Sequence, residues 1–506
     1  SLRADSSPSS VATLGKPILR KSTGNIPFSS PCATTMRSVE NAGDANSARF
    51  VEVLAPEPTE SPAIPLPPIP PVFTNRFSPG SSHFLDISTI FSTLRFYHQH
   101  HMINLTKLWT GAAQPADGLR YGSGTSAQGS ADSRKPITVW NITRTCNLRC
   151  VHCYSDSNAE RYLGELTWDQ METVVADLGS YKVPSLLLSG GEPMIHPRFF
   201  DLVDTASQAG LKLTISTNGT LITEEKAALL KAANVAYVGI SLDGIGKIHD
   251  EFRRKEGAFD AAVRGFKNCH AVDQKTGLRL TLTRHNVENI DRILDFIEEK
   301  EIQRVCFYHL VPAGRGSELQ VLSAHEARKA IDTLIARVEV WHRQGIDREL
   351  LTVTQPADGA YLLLRMEREQ HPNLAEARRL LEWNGGGAHS SGRGIANIDT
   401  QGNVHPDQFW QGVTLGNVKQ MPFSEIWEGA NPESAPMLAA IRSIGKLSTA
   451  ERQARLSGPC ADCRWFDICG GGFRTRAAFA NKGDLWGSDP GCYLRVEERQ
   501  NALAVA

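Results

Sequence analysis

Between Pro136 and about Arg343 short apolar, β-rich runs alternate with longer amphipathic ones, and this alternation constrains the fold more than any other feature of the chain. It predicts strands at Ile137–Ile142, Ser185–Ser189, Lys212–Thr217, Ala236–Leu242, Leu278–Thr283 and Arg304–Leu310. It predicts helices at Thr167–Tyr181, Pro197–Ala209, Thr223–Ala233, Ala258–Val272, Val287–Lys300 and Ser323–Arg343. Six strand-then-helix units imply an α/β fold with a parallel sheet covered by helices. Six is short of the eight strands of a closed barrel, so the expectation is an open, partial (β/α)6 barrel of the TIM type. Ligands in such folds sit beyond the carboxyl ends of the strands.

The conspicuous residues fall at that edge. Cys146, Cys150 and Cys153, a C-x3-C-x2-C run, follow the first strand; Gly190-Gly191-Glu192-Pro193 follows the second. Asn218-Gly219 follows the third, and Ser241-Leu242-Asp243-Gly244 ends the fourth. Taken singly the later motifs read as turns. Their recurrence at one edge of one repeating architecture gives them weight. Three thiolates can each hold one iron of a 4Fe–4S cube and leave the fourth iron open to a small molecule. A zinc site is the alternative on spacing alone. Amides freed by Gly190 and Gly191, with the Glu192 carboxylate, suit a ligand carrying both an ammonium and a carboxylate.

The rest of the chain sets the context. It has 506 residues and a formal net charge of −1, which gives no reason to expect nucleic-acid binding, and no apolar run is long enough to span a membrane. Residues 1–83 form a Ser/Pro-rich tail that cannot bury enough surface to fold alone and reads as disordered. Its first forty residues are basic and poor in acids, like an organelle transit peptide, although a plain disordered tail is the preferred reading. Residues 84–135 read as a helical segment, periodic from Phe84 to Trp109, followed by a Gly/Ser-rich linker. The barrel is assigned to 136–345. The alternation stops after Arg343, leaving 346–506 as a cysteine-rich extension.

In that extension Cys460, Cys463, Cys469 and Cys492 have the spacing C-x2-C-x5-C-x22-C, with Gly470-Gly471-Gly472 giving the chain freedom to wrap a metal core. Four cysteines saturate a second 4Fe–4S cluster, with a zinc ribbon as the alternative. Such spacings favour metal ligation over disulfides, hence a reducing compartment such as the cytoplasm. Cys32 lies in the tail, and Cys269 and Cys306 read as small core residues.

These residues resemble the radical S-adenosylmethionine (radical SAM) superfamily over Pro136 to the C-terminus: the cysteine triad, Gly190–Pro193, Ser216–Gly219, and Ser241–Gly244 with His249, Asp250 and Arg253. The resemblance implies that the methionyl group of SAM chelates the open iron, with Gly190, Gly191 and Glu192 at its amine. It puts Asn218, Ser241, Asp243 and Arg253 around the ribose and carboxylate, and the Phe307–Leu310 strand end near the adenine. One departure is His152, where many members carry an aromatic residue before the third cysteine. The implied chemistry is one-electron cleavage of SAM to a 5′-deoxyadenosyl radical, with electrons from a low-potential donor such as ferredoxin or flavodoxin. The second cysteine group is similar to a SPASM or twitch-like extension and implies a single auxiliary cluster.

Asn397–Trp410, Leu415–Val418 and Cys463–Gly472 further resemble the members that build modified haems, in the haem d1 branch. The implied substrate is an iron tetrapyrrole, 12,18-didecarboxysirohaem, which loses propionate side chains. Arg315, Arg393, Arg474 and Arg476 are then candidates to pair with carboxylates, and Phe409, Trp410 and Trp465 to stack on the ring. His309 and His405 are candidate iron ligands or proton donors. The rivals are an enzyme of the sirohaem-dependent route to ordinary haem, a SPASM peptide-modifying maturase, and a non-enzymatic iron–sulfur scaffold.

Overall fold

A computed structural model of the chain describes residues 102–113, 135–319, 321–384, 391–444 and 447–500, all within one unit, Leu85–Ala506. The expected tail over 1–83, with 84–101 and 114–134 of the expected helical segment and linker, lies outside the described residues.

One sheet of eleven strands organises the molecule. In chain order these are β1 (Met102–Asn104), β2 (Ile137–Asn141), β3 (Leu186–Ser189), β4 (Leu213–Thr217), β5 (Tyr237–Ser241) and β6 (Thr276–Leu282). There follow β7 (Arg304–His309), β8 (Glu349–Val353), β9 (Ile395–Ile398), β10 (Asn403–His405) and β11 (Gly416–Asn417). Strands β2 to β8 lie side by side in chain order, each parallel to the next. Parallel neighbours need crossovers, which the helices Trp168–Tyr181, Phe199–Gln208, Glu224–Ala232, Ala258–Ala271, Ile290–Glu299 and Ala324–Arg343 supply. The sheet stays open, with β1 antiparallel to β8 at one edge and β9, β10 and β11 continuing past β2 at the other.

Local chemistry sets these elements. Capping boxes start the first and last of these crossover helices, Thr167 with Gln170 and Ser323 with Glu326, each side chain satisfying the other's backbone N–H. Met171, Val174, Val175 and Leu178 recur at helical spacing and turn one stripe of the first helix into the core. On the sheet, Leu186, Leu188, Ile215, Val238, Ile240 and Leu278 are fully buried, each such side chain contributing about 1.5–3 kcal/mol. Cys269 and Cys306 are buried, as expected of small core residues.

All six predicted strands form, but two expectations require correction. The alternation does not stop at Arg343. Glu349–Val353 pairs in parallel with β7 and is followed by the helix Ala357–Arg368, a seventh strand-then-helix unit that lies beyond the expected break at 345/346. The run is short and headed by Asp347-Arg348-Glu349, so only its pairing with β7 and β1 makes it a strand. Nor does one helix run to Trp109, because Met102–Asn104 is a strand and the helix begins at Leu105. The Asn104 side chain caps it by accepting from Lys107 N at 3.0 Å. Among the described residues no helix is long and apolar enough to cross a membrane.

Candidate active site

The cysteine loop leaves the carboxyl end of β2, and the glycine pair after β3 clamps its stem. A Cβ on Gly190, whose φ is 152°, would come within 2.3 Å of the Thr143 carbonyl oxygen, and one on Gly191 within 2.4 Å of that of Thr145. Only glycine allows this approach. Gly191 N donates to Thr143 O at 2.6 Å and Glu192 N to Thr145 O at 3.0 Å. Of the two glycine amides expected to be free for a ligand, that of Gly191 is therefore committed to the loop.

Glu192 is likewise committed. Fully buried, it accepts from Thr217 Oγ1 at 2.8 Å, Met194 N at 3.2 Å and Asn218 N at 2.8 Å. It thereby sets Asn218, whose Nδ2 donates to Asn147 Oδ1 at 2.8 Å and lies 3.9 Å from Cys146 Sγ. Three further donors reach the sulfurs: Leu148 N to Cys146 at 3.4 Å, Ser157 N to Cys153 at 3.4 Å, and Arg253 Nη1 to Cys150 at 3.3 Å.

Burial pushes the Cys146 thiol up to about 12, and raises Cys150 despite the opposing Arg253 charge. Buried thiolates of this kind need a cation to hold them, and N–H donors to the sulfurs suit iron–sulfur ligation. The nine described cysteines are all free. Among the described residues no three His, Cys, Asp or Glu side chains converge closely enough for a single metal ion; a cube, in which each cysteine meets a different iron, does not require it.

Beside the loop a cavity opens among the carboxyl ends of the strands, lined by Ser189, Ser216, Ser241, Leu310 and Val311. His152 lines it too, its ring tilted by 39° against Phe252 with centroids 4.6 Å apart. Its buried Nδ1 has no hydrogen-bond partner among the described residues, a polar atom that a ligand could satisfy. Burial holds its pKa down at about 4, so the ring is neutral at neutral pH. Asp243 is ion-paired with Arg253 and accepts from Thr281 N at 2.8 Å. Burial works to raise its carboxyl, but the Arg253 charge, together with His152, the Thr281 N–H and His249, outweighs this and holds it below the usual range. Arg253 therefore bridges Asp243 and Cys150 at the cavity wall, rather than standing free for a ligand carboxylate. Asp243 N donates to His249 Nδ1 at 3.0 Å, which leaves the His249 proton on Nε2.

His309, at the end of β7, also lines the cavity. Its Nε2 lies 3.0 Å from Asp358 Oδ2, and Tyr493 Oη donates to Asp358 Oδ1 at 2.6 Å. This chain links the cavity to the residue beside Cys492. His405 is corrected as a candidate ligand: it is buried, with Nδ1 on Val413 O at 2.8 Å and Nε2 on Asp399 Oδ2 at 3.4 Å. Three of the expected carboxylate-binding arginines are also engaged within the protein. Arg315 donates to Cys150 O at 2.9 Å and Ser157 O at 2.7 Å. Arg476 holds Asp489 at 2.7 and 2.8 Å, and Arg474 holds the carbonyls of Gly471, Leu485 and Gly487. Of the aromatic candidates only Phe409 lines the cavity; Trp410 and Trp465 are core residues. Arg279 and Gln408 line it without having been expected, whereas Tyr308 belongs to the Phe307–Leu310 strand end expected near the adenine. An arginine between Leu278 and Leu280 in a buried strand was the available signal.

The second cysteine group gathers as the spacing implied. Burial raises the Cys469 thiol well above its ordinary value, and the charges of Cys492, Cys463 and Cys460 add to this, so the four are neighbours. Gly470, Gly471 and Gly472 have φ of 62°, 82° and 90°, a left-handed run that bends the chain around them. Asp489 pins the loop by accepting from Phe473 N at 2.7 Å and Gly491 N at 2.9 Å.

A radical SAM superfamily model matches residues 140–297, and an iron–sulfur cluster-binding domain model of the SPASM type matches 390–464. The chain belongs to the radical SAM superfamily and is an enzyme of that class, with the iron–sulfur and S-adenosylmethionine binding that both domains imply. It is 42% identical over 404 residues to the Fe-coproporphyrin III synthase of Methanosarcina barkeri, covering 78% of this chain and 98% of that protein. It is 40% identical over 376 residues to the Pre-heme d1 synthase of Dinoroseobacter shibae, covering 73% and 89%. Among solved structures, Streptococcus suis SuiB bound to S-adenosylmethionine has the same fold, with a TM-score of 0.55, 17% identity and coverage of 72% and 78%.

Proposed function

We propose that this enzyme removes carboxylate side chains from an iron tetrapyrrole of the didecarboxysirohaem type. The observation that carries the reading is the pair of relatives at 42% and 40% identity, both named for making tetrapyrroles, joined to a cysteine loop whose donors suit a cluster. When bound, a three-cysteine cluster with SAM supplies one-electron cleavage of the sulfonium and hence a carbon radical, chemistry that no side chain provides.

The protein's own groups orient and enclose. With the Gly191 amide turned onto the loop, Gly190 and Gly191 would offer carbonyls to the methionyl ammonium. Ser216 and Ser241 would meet the ribose, His152 Nδ1 would accept from the ligand, and Leu310 and Val311 would cover the adenine. Arg253 tunes the centre by placing a positive charge on Cys150. Cys460, Cys463, Cys469 and Cys492 would hold one auxiliary cluster. His309, oriented by Asp358, is the proton donor we favour at the reacting edge. Electrons come from a low-potential donor of the ferredoxin or flavodoxin kind.

Two products remain in play. Loss of propionates follows the haem d1 reading, whereas the relative at 42% identity favours a product that keeps them, iron coproporphyrin III being a tetrapropionate. Anaerobic incubation with didecarboxysirohaem, SAM and dithionite, followed by mass analysis, separates the two by the carboxylates that survive. Unchanged tetrapyrrole alongside turnover of a peptide would overturn the proposal.

A further inference from the structure

The barrel holds a second, larger chamber. It has a volume of about 770 Å³ and is lined by the first residues of successive strands, among them Ile137, Thr276, Arg304 and Glu349, so it opens at the amino ends, opposite the cysteine loop. Val139, Leu187, Arg279, Tyr308 and Gln408 line both this chamber and the cavity at the carboxyl ends, so the two meet inside the barrel. A volume of several hundred Å³ suits a drug-sized or macrocyclic ligand.

The wall is shaped for particular side chains. A Cβ on Gly239 would lie 2.6 Å from Arg279 Cδ, and one on Gly277 would lie 2.4 Å from Tyr237 Oη. Glycines within strands mark places where another group approaches closely, and these two admit Arg279 and Tyr237. The guanidinium of Arg279 sits 5.0 Å from the Tyr308 ring centroid and that of Arg304 sits 4.9 Å from the Tyr237 ring centroid, two cation–aromatic pairs facing one space. Tyr237 Oη is buried with no hydrogen-bond partner among the described residues.

The charges are unevenly matched. Arg304 pairs with Glu349 at 3.1 Å, and Asp273 and Asp347 stand at the rim. Lys212 and Lys275 at the mouth have no ion pair among the described residues, and Arg279 donates to the Tyr308 hydroxyl rather than to an acid. Partial burial, then the charges of Arg304 and Lys275, lower the Lys212 pKa, the mark of cations crowded without a counterion.

We propose that this amino-end chamber is the seat of the tetrapyrrole, its ring against Tyr237 and Tyr308 and its carboxylates on Arg279 within and on Lys212 and Lys275 at the mouth. The inference rests on the tetrapyrrole reading above and adds where the ring lies and which groups hold it. The reacting edge then points through the Arg279–Tyr308 pair toward the cysteine loop.

The test uses the full chain, reconstituted anaerobically, titrated with iron coproporphyrin III and with iron etioporphyrin, the same ring carrying alkyl groups, and read by the Soret band. Wild type should prefer the carboxylated ring. The double variant Lys212→Ala/Lys275→Ala should lose about 5- to 10-fold of that preference, with iron content and substrate-free 5′-deoxyadenosine formation unchanged. A double variant that keeps the full preference overturns the assignment and leaves the tetrapyrrole reading standing. A wild type that binds neither ring overturns both.

Discussion

Replacing Glu192 with Gln keeps the shape of the side chain and removes its charge, which makes it a direct test of what the Gly-Gly-Glu motif does. Three donors point at the carboxylate: Thr217 Oγ1, Met194 N and Asn218 N. Burial pushes the carboxyl up, while those donors oppose the shift; three donors with no acceptor opposite require the ionised form. A carboxamide can present oxygen to only one side. With oxygen toward Thr217 and Met194, the amide NH2 faces Asn218 N–H and leaves a buried donor unmatched at a cost of about 1–3 kcal/mol. The two bonds that remain weaken from charge-assisted to neutral, adding about 1 kcal/mol. A loss of about 3 kcal/mol is expected. It should centre on Asn218, whose contacts with Asn147 and Cys146 then loosen. Urea unfolding of the reconstituted protein gives the stability, and iron content with 5′-deoxyadenosine yield gives the local effect. A Glu192→Gln protein within 0.5 kcal/mol of wild type, with full iron, would mean that the carboxyl is neutral in the fold and that this account of the motif is wrong.

Cys150→Ala should abolish SAM cleavage, whereas Cys463→Ala should retain part of the substrate-free cleavage while losing tetrapyrrole product; equal loss in both would show the second cysteine group to be purely structural. Asp358→Asn turns an acceptor beside His309 Nε2 into a donor and moves the ring proton to Nδ1. Product formation should fall at least about 10-fold with a stability cost of only about 1–2 kcal/mol, and an unchanged pH–rate profile would remove His309 as proton donor. Glu498, buried against Arg328 and Arg368, is raised by burial but held down at about 2 by Arg328 first. Its folded pKa lies below the unfolded value of about 4.3, so it contributes about 2 kcal/mol above that pH and loses it as pH falls toward 2. The stability gap between wild type and Glu498→Gln should therefore narrow from about pH 5 downward and close only near pH 2 in urea titrations, and a constant gap would count against the ion pair.

How much could be read from the residues depended on whether a signal was local. Strand and helix periods are local, and so is the spacing of Cys146, Cys150 and Cys153; the six predicted strands and the loop at the end of β2 follow from them. β8 is not local, since Glu349–Val353 becomes a strand through β7 and β1. The side-chain assignments failed for a related reason. A residue type states what a group can do, but its partner decides what it does. Arg474 and Arg476 are as cationic as a carboxylate site requires, yet a glycine-rich loop brings Gly471, Gly487 and Asp489 to them first.

The same reasoning turns around for the groups that were overlooked. A buried cation is costly unless something meets it, so a buried arginine signals either an internal partner or a ligand. Arg476 has its partner in Asp489, with Thr354 O at 3.0 Å as well, and its role is to hold the second cysteine loop against the barrel. Arg279 has a tyrosine hydroxyl and no carboxylate partner among the described residues, and it lies where the two chambers of the barrel meet. Of the two, Arg279 is the one that the proposed tetrapyrrole seat would leave for a substrate to meet, and Gly239 is the residue whose missing side chain makes room for it.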